Sequence, residues 1–190
     1  MKAKKGNPNY ITKRKSYVLI KTLAEFGIAA ALLILGILET GSRLNMLTLV
    51  AVLGCLPASK ALVELIMLLP HKSISEIQVK EICAHTESLT MAYDMVITSS
   101  KKIMPIESVA ISGNTICGFV SSPKVDIAYT EQYLKQMLNE NQFMKVSVKL
   151  FKDYDAYLTR IKEMNHHAKG EERRKNHEEK IRHVLLNISL

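Results

Sequence analysis

Two long apolar runs dominate the hydrophobic pattern near the start of the chain. The first covers residues 17–38 and the second residues 44–69, with the short polar segment 39–43 between them. A helix needs about 20 mostly apolar residues to cross a bilayer, so both runs are long enough. We therefore predict a membrane α-hairpin, two antiparallel transmembrane helices over residues 17–69. A soluble helical hairpin is disfavoured, because residues 26–38 carry no polar side chain on any face.

Four charged residues interrupt these runs. Lys21 and Glu25 come early in the first run, and Lys60 and Glu64 come late in the second. In an antiparallel hairpin all four gather near one membrane face, with Glu25 at the depth of Lys60 and Lys21 at the depth of Glu64. Charges inside a span are costly and are rarely left unpaired. We interpret the four as a structural cluster that sets the register of the two helices; the alternative is an ion or proton path.

The segment before the hairpin, residues 1–16, is a basic arm. We expect it to be mobile, because Gly6 to Asn9 break regular structure. Cationic residues beside a span predict a cytoplasmic N-terminus, and two spans return the C-terminus to the same side of a plasma membrane. Anionic lipid headgroups are the expected partner of this arm. Its cationic residues are Lys2, Lys4, Lys5, Lys13, Arg14 and Lys15.

After Pro70 the pattern changes to short segments with helical or alternating periodicity. It predicts a cytoplasmic α/β domain over residues 73–165 with the order α-β-β-β-α-β-α, in which helices cover a short mixed sheet. The predicted elements are a helix over 75–87, strands over 90–98, 106–111 and 115–120, a helix from Thr130, a strand over 145–151, and a helix after Asp153.

A charged C-terminal tail, residues 166–190, completes the chain. Glu178 and Arg182 stand one helical turn apart, and such a pair predicts a solvated helix. The alternative is docking on the domain or on a partner through Val184, Leu185 and Leu186.

The α-β-β-β-α-β order over residues 75–151 resembles the core of restriction-endonuclease-like proteins. The resemblance implies an acidic residue on the second strand and an acid-x-Lys motif on the third, which together hold a metal and position water. Glu107 stands on the second predicted strand, but the third, TICGFV, contains neither an acid nor a lysine. The resemblance therefore implies, at most, a non-catalytic relative.

No other arrangement of residues points to a reaction. Cys55, Cys83 and Cys117 form no CxxC motif, which argues against a disulfide framework and against a cysteine metal site. No glycine-rich loop precedes a helix, so no phosphate-binding loop is predicted. We predict no catalytic, cofactor-binding or metal-binding residue and no cofactor.

The resulting hypothesis is an integral membrane protein whose cytoplasmic domain is a protein-interaction or regulatory module. Its expected partner is an unknown cytoplasmic protein or a second copy of the chain. Nucleic acid is not expected, because the basic residues cluster beside the hairpin. One alternative is a small membrane-tethered enzyme with a transferase-like or degenerate nuclease-like domain, whose pocket would be lined by Glu107, Asp94 or Lys124. The other is an accessory subunit of a transporter that uses the charges within the spans.

Overall fold

The computed structural model describes residues 4–42, 45–100, 102–168 and 172–190. The chain divides into two compact units. One is Ile11–Lys72, and the other combines the residues up to Tyr10 with Ser73–Leu190.

The first unit consists of the two predicted apolar helices. Helix α1 spans Tyr10–Thr40 and helix α2 spans Met46–Leu68. They are antiparallel, since Ala29 faces Gly54 and Gly36 lies against Leu47 nearer the connecting turn. The side chain of Asn45 caps α2 by accepting a hydrogen bond from the backbone N–H of Thr48. The alanines of α2 are buried, and they allow close approach of the helices; they are Ala51, Ala58 and Ala61.

The second unit confirms the predicted order of elements, and its final helix lies within the predicted tail. Its helices are α3 (Glu76–Ala84), α4 (Ile127–Glu140), α5 (Tyr154–Ala168) and α6 (Glu172–Asn187). Its strands are β1 (Thr90–Thr98), β2 (Ile103–Ser112), β3 (Thr115–Phe119) and β4 (Ser147–Phe151). The strands form a four-stranded sheet in the order β1-β2-β3-β4. The first three are antiparallel neighbours, whereas β4 runs parallel to β3 after a crossover through α4.

Helices cover both faces of this sheet, which gives a three-layer α/β/α sandwich. One core contains Leu134 and Leu138 of α4 with Ile181 and Leu185 of α6. The opposite core contains Ile82 of α3 and the buried face of α5, including Tyr157 and Ile161.

Helix α6 corrects the prediction of a solvated tail. Ile181 and Leu185 are buried in the core. Glu178 is also buried and does not pair with Arg182; it accepts hydrogen bonds from Thr90 Oγ1 at 2.7 Å and from the backbone N–H of Gly113 at 2.6 Å. Arg182 pairs instead with Glu179 at 3.1 Å. The docking alternative prevailed because a single apolar stripe on α6 fills the core beside β1, and tertiary burial outweighs a weak exposed ion pair.

Strands β1 and β2 share an irregularity at Asp94 and Glu107. The ladder pairs Tyr93 with Ser108 and Met95 with Ile106, but the two residues between these pairs form no ladder pair. Tyr93 packs in the α3/α5 core, whereas Met95 packs in the α4/α6 core. Asp94 has a φ of +52°, in the left-handed region that aspartate tolerates better than most residues. At this residue the strand exchanges its two faces. Side chains alternate between the two cores on both sides of Asp94, but the phase of that alternation is opposite before and after it.

Candidate functional site

The segment before α1 is bound to the edge strand β1, whereas we expected a mobile arm. The backbone N–H of Tyr93 donates to the carbonyl of Gly6 at 3.0 Å, and the two residues form an antiparallel bridge. Gly6 has a φ of +81°, and a Cβ there would lie 3.0 Å from Leu186, so glycine suits both the conformation and the space. The arm is also shorter than the predicted residues 1–16, because α1 already begins at Tyr10.

The segment after α2 is bound to the same part of β1. Asp94 Oδ1 accepts a hydrogen bond from the backbone N–H of Ile74 at 3.0 Å, and both residues are buried. Asn9 Nδ2 donates to Glu76 Oε1 at 3.3 Å and so joins the two flanking segments to each other. The chain therefore enters and leaves the helical pair through segments attached at Tyr93 and Asp94. We call this group of contacts the junction; its residues are Gly6, Asn9, Ile74, Glu76, Tyr93 and Asp94.

The C-terminal segment closes the rest of the β1 edge. The N–H of Leu190 donates to the carbonyl of Val96 at 2.9 Å, and Ser189 forms a bridge with Ile97. Lys5 Nζ donates to the carbonyls of Ser189 at 2.8 Å and of Leu186 at 3.3 Å, at the end of α6. A cation at the C-terminus of a helix interacts favourably with the helix dipole. The edge of β1 is thus covered by the segment before α1 and by the C-terminal segment, and it cannot pair there with another strand.

Three of the four charged residues predicted to cluster within the helical pair form ion pairs. Lys21 Nζ lies 3.7 Å from Glu25 Oε1 on the same helix, and Glu64 accepts a hydrogen bond from Arg14 Nε at 2.7 Å. Among the residues that the structure describes, Lys60 has no ion-pair partner. The contacts of Ala29 with Gly54 and of Gly36 with Leu47 agree closely with the register from which similar depths were predicted for Glu25 and Lys60 and for Lys21 and Glu64.

The cationic residues of the predicted arm also divide into bound and exposed groups. Lys5, Arg14 and Lys15 are bound by carbonyls or a carboxylate: Lys15 Nζ donates to the carbonyls of Leu69, at 2.9 Å, and His71. Lys4 and Lys13 are exposed. Lys2 lies outside the described residues.

The residues proposed to line an enzyme pocket make separate contacts, although Asp94 and Glu107 lie on neighbouring strands. Asp94 belongs to the junction. Glu107 accepts hydrogen bonds from the N–H and Oγ of Ser121, and so holds the loop between β3 and α4. Lys124 is exposed in that loop. Strand β3 carries the apolar sequence TICGF, and within the described ranges no three His, Cys, Asp or Glu residues are grouped to hold a metal ion.

The tyrosine hydroxyl groups and the Cys117 thiol in the core between the sheet and helices α3 and α5 are not activated for catalysis. Burial raises the pKa of the Tyr93, Tyr154 and Tyr157 phenols above their ordinary value, with the hydrogen bond to Cys83 adding to the effect at Tyr93. Burial likewise raises the pKa of the Cys117 thiol. These groups stay protonated near neutral pH, so none of them is poised as a general base or a nucleophile.

The helical pair carries an apolar groove of about 200 Å³ between α1 and α2. Its lining offers no hydrogen-bonding side chain apart from one thiol; the lining residues are Phe26, Ala29, Ala30, Leu33, Ala51, Val52 and Cys55. Such a surface suits contact with hydrocarbon chains, and apart from the thiol its lining carries no reactive group.

Comparisons with protein families, with curated proteins and with solved structures found no match to this chain. The residues themselves therefore carry the functional argument. Sequence reasoning named Asp94 but missed its role, and it missed Gly6, Ile74 and Tyr93 altogether. One signal was available: an aspartate in the middle of the β-forming run TMAYDMVIT, where a buried carboxylate needs a hydrogen-bond donor.

Proposed function

We propose that this protein is a two-span membrane protein that holds an α/β interaction or regulatory module in the cytoplasm. One observation carries the membrane assignment. Both helices are long and apolar enough to cross a bilayer, yet only 17% of the most apolar window of each is buried. A core helix of a soluble protein buries most of such a surface. Large exposed side chains occur along both helices, among them Ile20, Leu38 and Leu56.

The distribution of charge supports the orientation. Lys13, Arg14 and Lys15 lie at the start of α1, and Lys72 follows α2, whereas the opposite end of α1 carries Glu39. Cationic residues beside spans remain in the cytoplasm. The N-terminus and the C-terminus are therefore both cytoplasmic in this proposal, and the turn at Gly41 and Ser42 faces the other side.

The ordered flanks of the α/β domain support its role as a folded module. The backbone of Tyr93 binds the segment before α1, and the side chain of Asp94 binds the segment after α2. Such a module presents its own surface to a partner, either a cytoplasmic protein or a second copy of the chain. Exposed apolar side chains on the domain, Ile77, Ile103 and Met144, are the first places to probe for that partner.

A pair of topology reporters tests the membrane assignment. A reporter that is active only in the cytoplasm, fused after Leu190, is expected to be active. The same reporter inserted at Ser42 is expected to be silent, while the chain stays in membranes through alkaline extraction. Activity at both positions, or release by alkali, contradicts the proposal.

Crosslinking tests the interaction role in the same membranes. Photoreactive residues at Ile77, Ile103 and Met144, one at a time, are expected to yield a defined adduct from at least one position. A matched probe at the buried Leu138 should yield none. Absence of an adduct from all three exposed positions argues against an interaction module.

A further inference from the structure

The end of α2 brings two lysines together. Lys15 Nζ donates to the carbonyls of Leu69 and His71, and His71 is joined to Lys72 by a peptide bond. An ammonium group has three donors, so Lys15 keeps one that these carbonyls do not use. Lys72 is exposed. The bound carbonyls hold Lys15 in place near the charge of Lys72. We call these two lysines the cationic corner.

No described carboxylate within Ile11–Lys72 balances these two charges. Glu64 forms an ion pair with Arg14, and Glu25 forms one with Lys21. Glu39 lies at the opposite end of α1. Burial and the charge of Lys15 lower the pKa of the His71 imidazole, so His71 is largely neutral at pH 7 and adds neither a cation nor an anion. Two like charges held close together call for a counter-ion.

We propose that Lys15 and Lys72 bind the phosphate group of an anionic phospholipid. This inference rests on the proposed membrane function. Ammonium groups form charge-assisted hydrogen bonds with phosphate oxygens. The surroundings suit a lipid better than a free anion: Leu69 and Ile66 expose more than half of their surface beside the corner, where acyl chains can pack. Tyr17 is also exposed, with Arg14 over its ring, as is typical of a membrane interface.

Lys13 offers a matched control. It is exposed on the same helix, and no described residue pairs with it, so Lys13→Gln and Lys72→Gln remove the same charge from the same region. General attraction to an anionic surface predicts equal effects of the two substitutions. A defined phosphate site predicts that only Lys72→Gln has a large effect.

The experiment uses the full chain in bilayer discs made of phosphatidylcholine with a minority of phosphatidylglycerol, and counts retained lipids by native mass spectrometry. We expect retention of phosphatidylglycerol over phosphatidylcholine, about a fivefold loss of that preference in Lys72→Gln, and little loss in Lys13→Gln. Equal losses in the two variants, or no initial preference, overturn the inference. Competition by millimolar inorganic phosphate identifies a free anion as the ligand and also overturns it.

Alkaline extraction of the same variants separates the two proposals. Retention of every variant in the membrane, combined with no lipid preference, refutes the phosphate site and leaves the membrane assignment standing. Release of the unsubstituted chain refutes the membrane assignment itself.

Discussion

The helical pair and the α/β domain use apolar side chains in opposite ways. In the domain, leucine, isoleucine and methionine fill two cores on either side of a sheet, and residues such as Leu138 and Ile181 are fully buried. In the helical pair, the alanines of α2 are buried, many of the larger side chains are exposed, and only a small cluster of Val18, Leu65 and Leu68 forms an apolar core among the described residues. Burial from water drives the first arrangement. The second arrangement is the one expected of helices in lipid, where an exposed leucine contacts apolar chains and need not be buried in protein.

The largest expected effect comes from the same substitution made in both regions. Leu138→Ala leaves a cavity in the α4/α6 core and should lower the free energy of unfolding of the domain by about 2–5 kcal/mol. Leu56→Ala removes an outward side chain of α2 and should leave domain stability unchanged. Thermal unfolding of the full chain in detergent micelles, followed by protease susceptibility of the domain, measures both. Comparable losses would show that α2 belongs to a water-excluded protein core.

Asp94 tests the hydrogen bond that holds the segment after α2 on strand β1. Asp94→Ala removes the acceptor of the Ile74 N–H and places alanine in the left-handed region, at a combined cost of about 2–4 kcal/mol. We expect faster proteolysis around Ser73 in this variant. Asp94→Asn keeps an acceptor and tolerates the same φ, so it should restore most of the protection. Failure of asparagine to rescue would mean that the negative charge, not the hydrogen bond, holds the junction.

Glu178 tests the docking of α6. Glu178→Gln weakens the hydrogen bonds to Thr90 and Gly113 in a buried site and should cost about 1–3 kcal/mol of domain stability. Glu179→Gln alters an exposed carboxylate beside Arg182 and should change stability by less than about 0.5 kcal/mol. Chemical denaturation of the two variants gives the comparison. Indistinguishable values would return α6 to the solvated helix expected from its charges.

The smallest effect concerns the register of the helical pair. A double-mutant cycle on Arg14 and Glu64 should give a coupling of at most about 1 kcal/mol, since both side chains are partly exposed. The corresponding cycle on Lys21 and Glu64 should give none. Thermal stability of the helical pair in micelles is the measurement, and coupling in the second cycle instead of the first would show that Glu64 pairs with Lys21 rather than with Arg14.

Predictions of local structure succeeded where one residue type meets one local requirement. The predicted strands over 106–111 and 115–120 correspond to β2 and β3, and in the structure Gly113 between them adopts a φ of +56°, as is typical of glycine in a tight hairpin turn. The element order followed from periodicity for the same reason. Ion pairs were less predictable. Arg14, which lies before the predicted first span, has a side chain long enough to pair with Glu64 of the second.

The sequence by itself determined the two apolar helices, their connection by a short turn, and the order of helices and strands. These depend on the length of the apolar segments, on the periodicity of apolar residues and on the residues in the turns, all of which are local properties of the sequence. Only the tertiary structure decided that α6 packs in the core, that Gly6 and Ile74 are bound to neighbouring residues of β1, and that the alternation of side chains along β1 changes phase at Asp94. Each of these depends on contacts between residues far apart in the chain, and burial at such contacts outweighs the local preferences of the residues that make them.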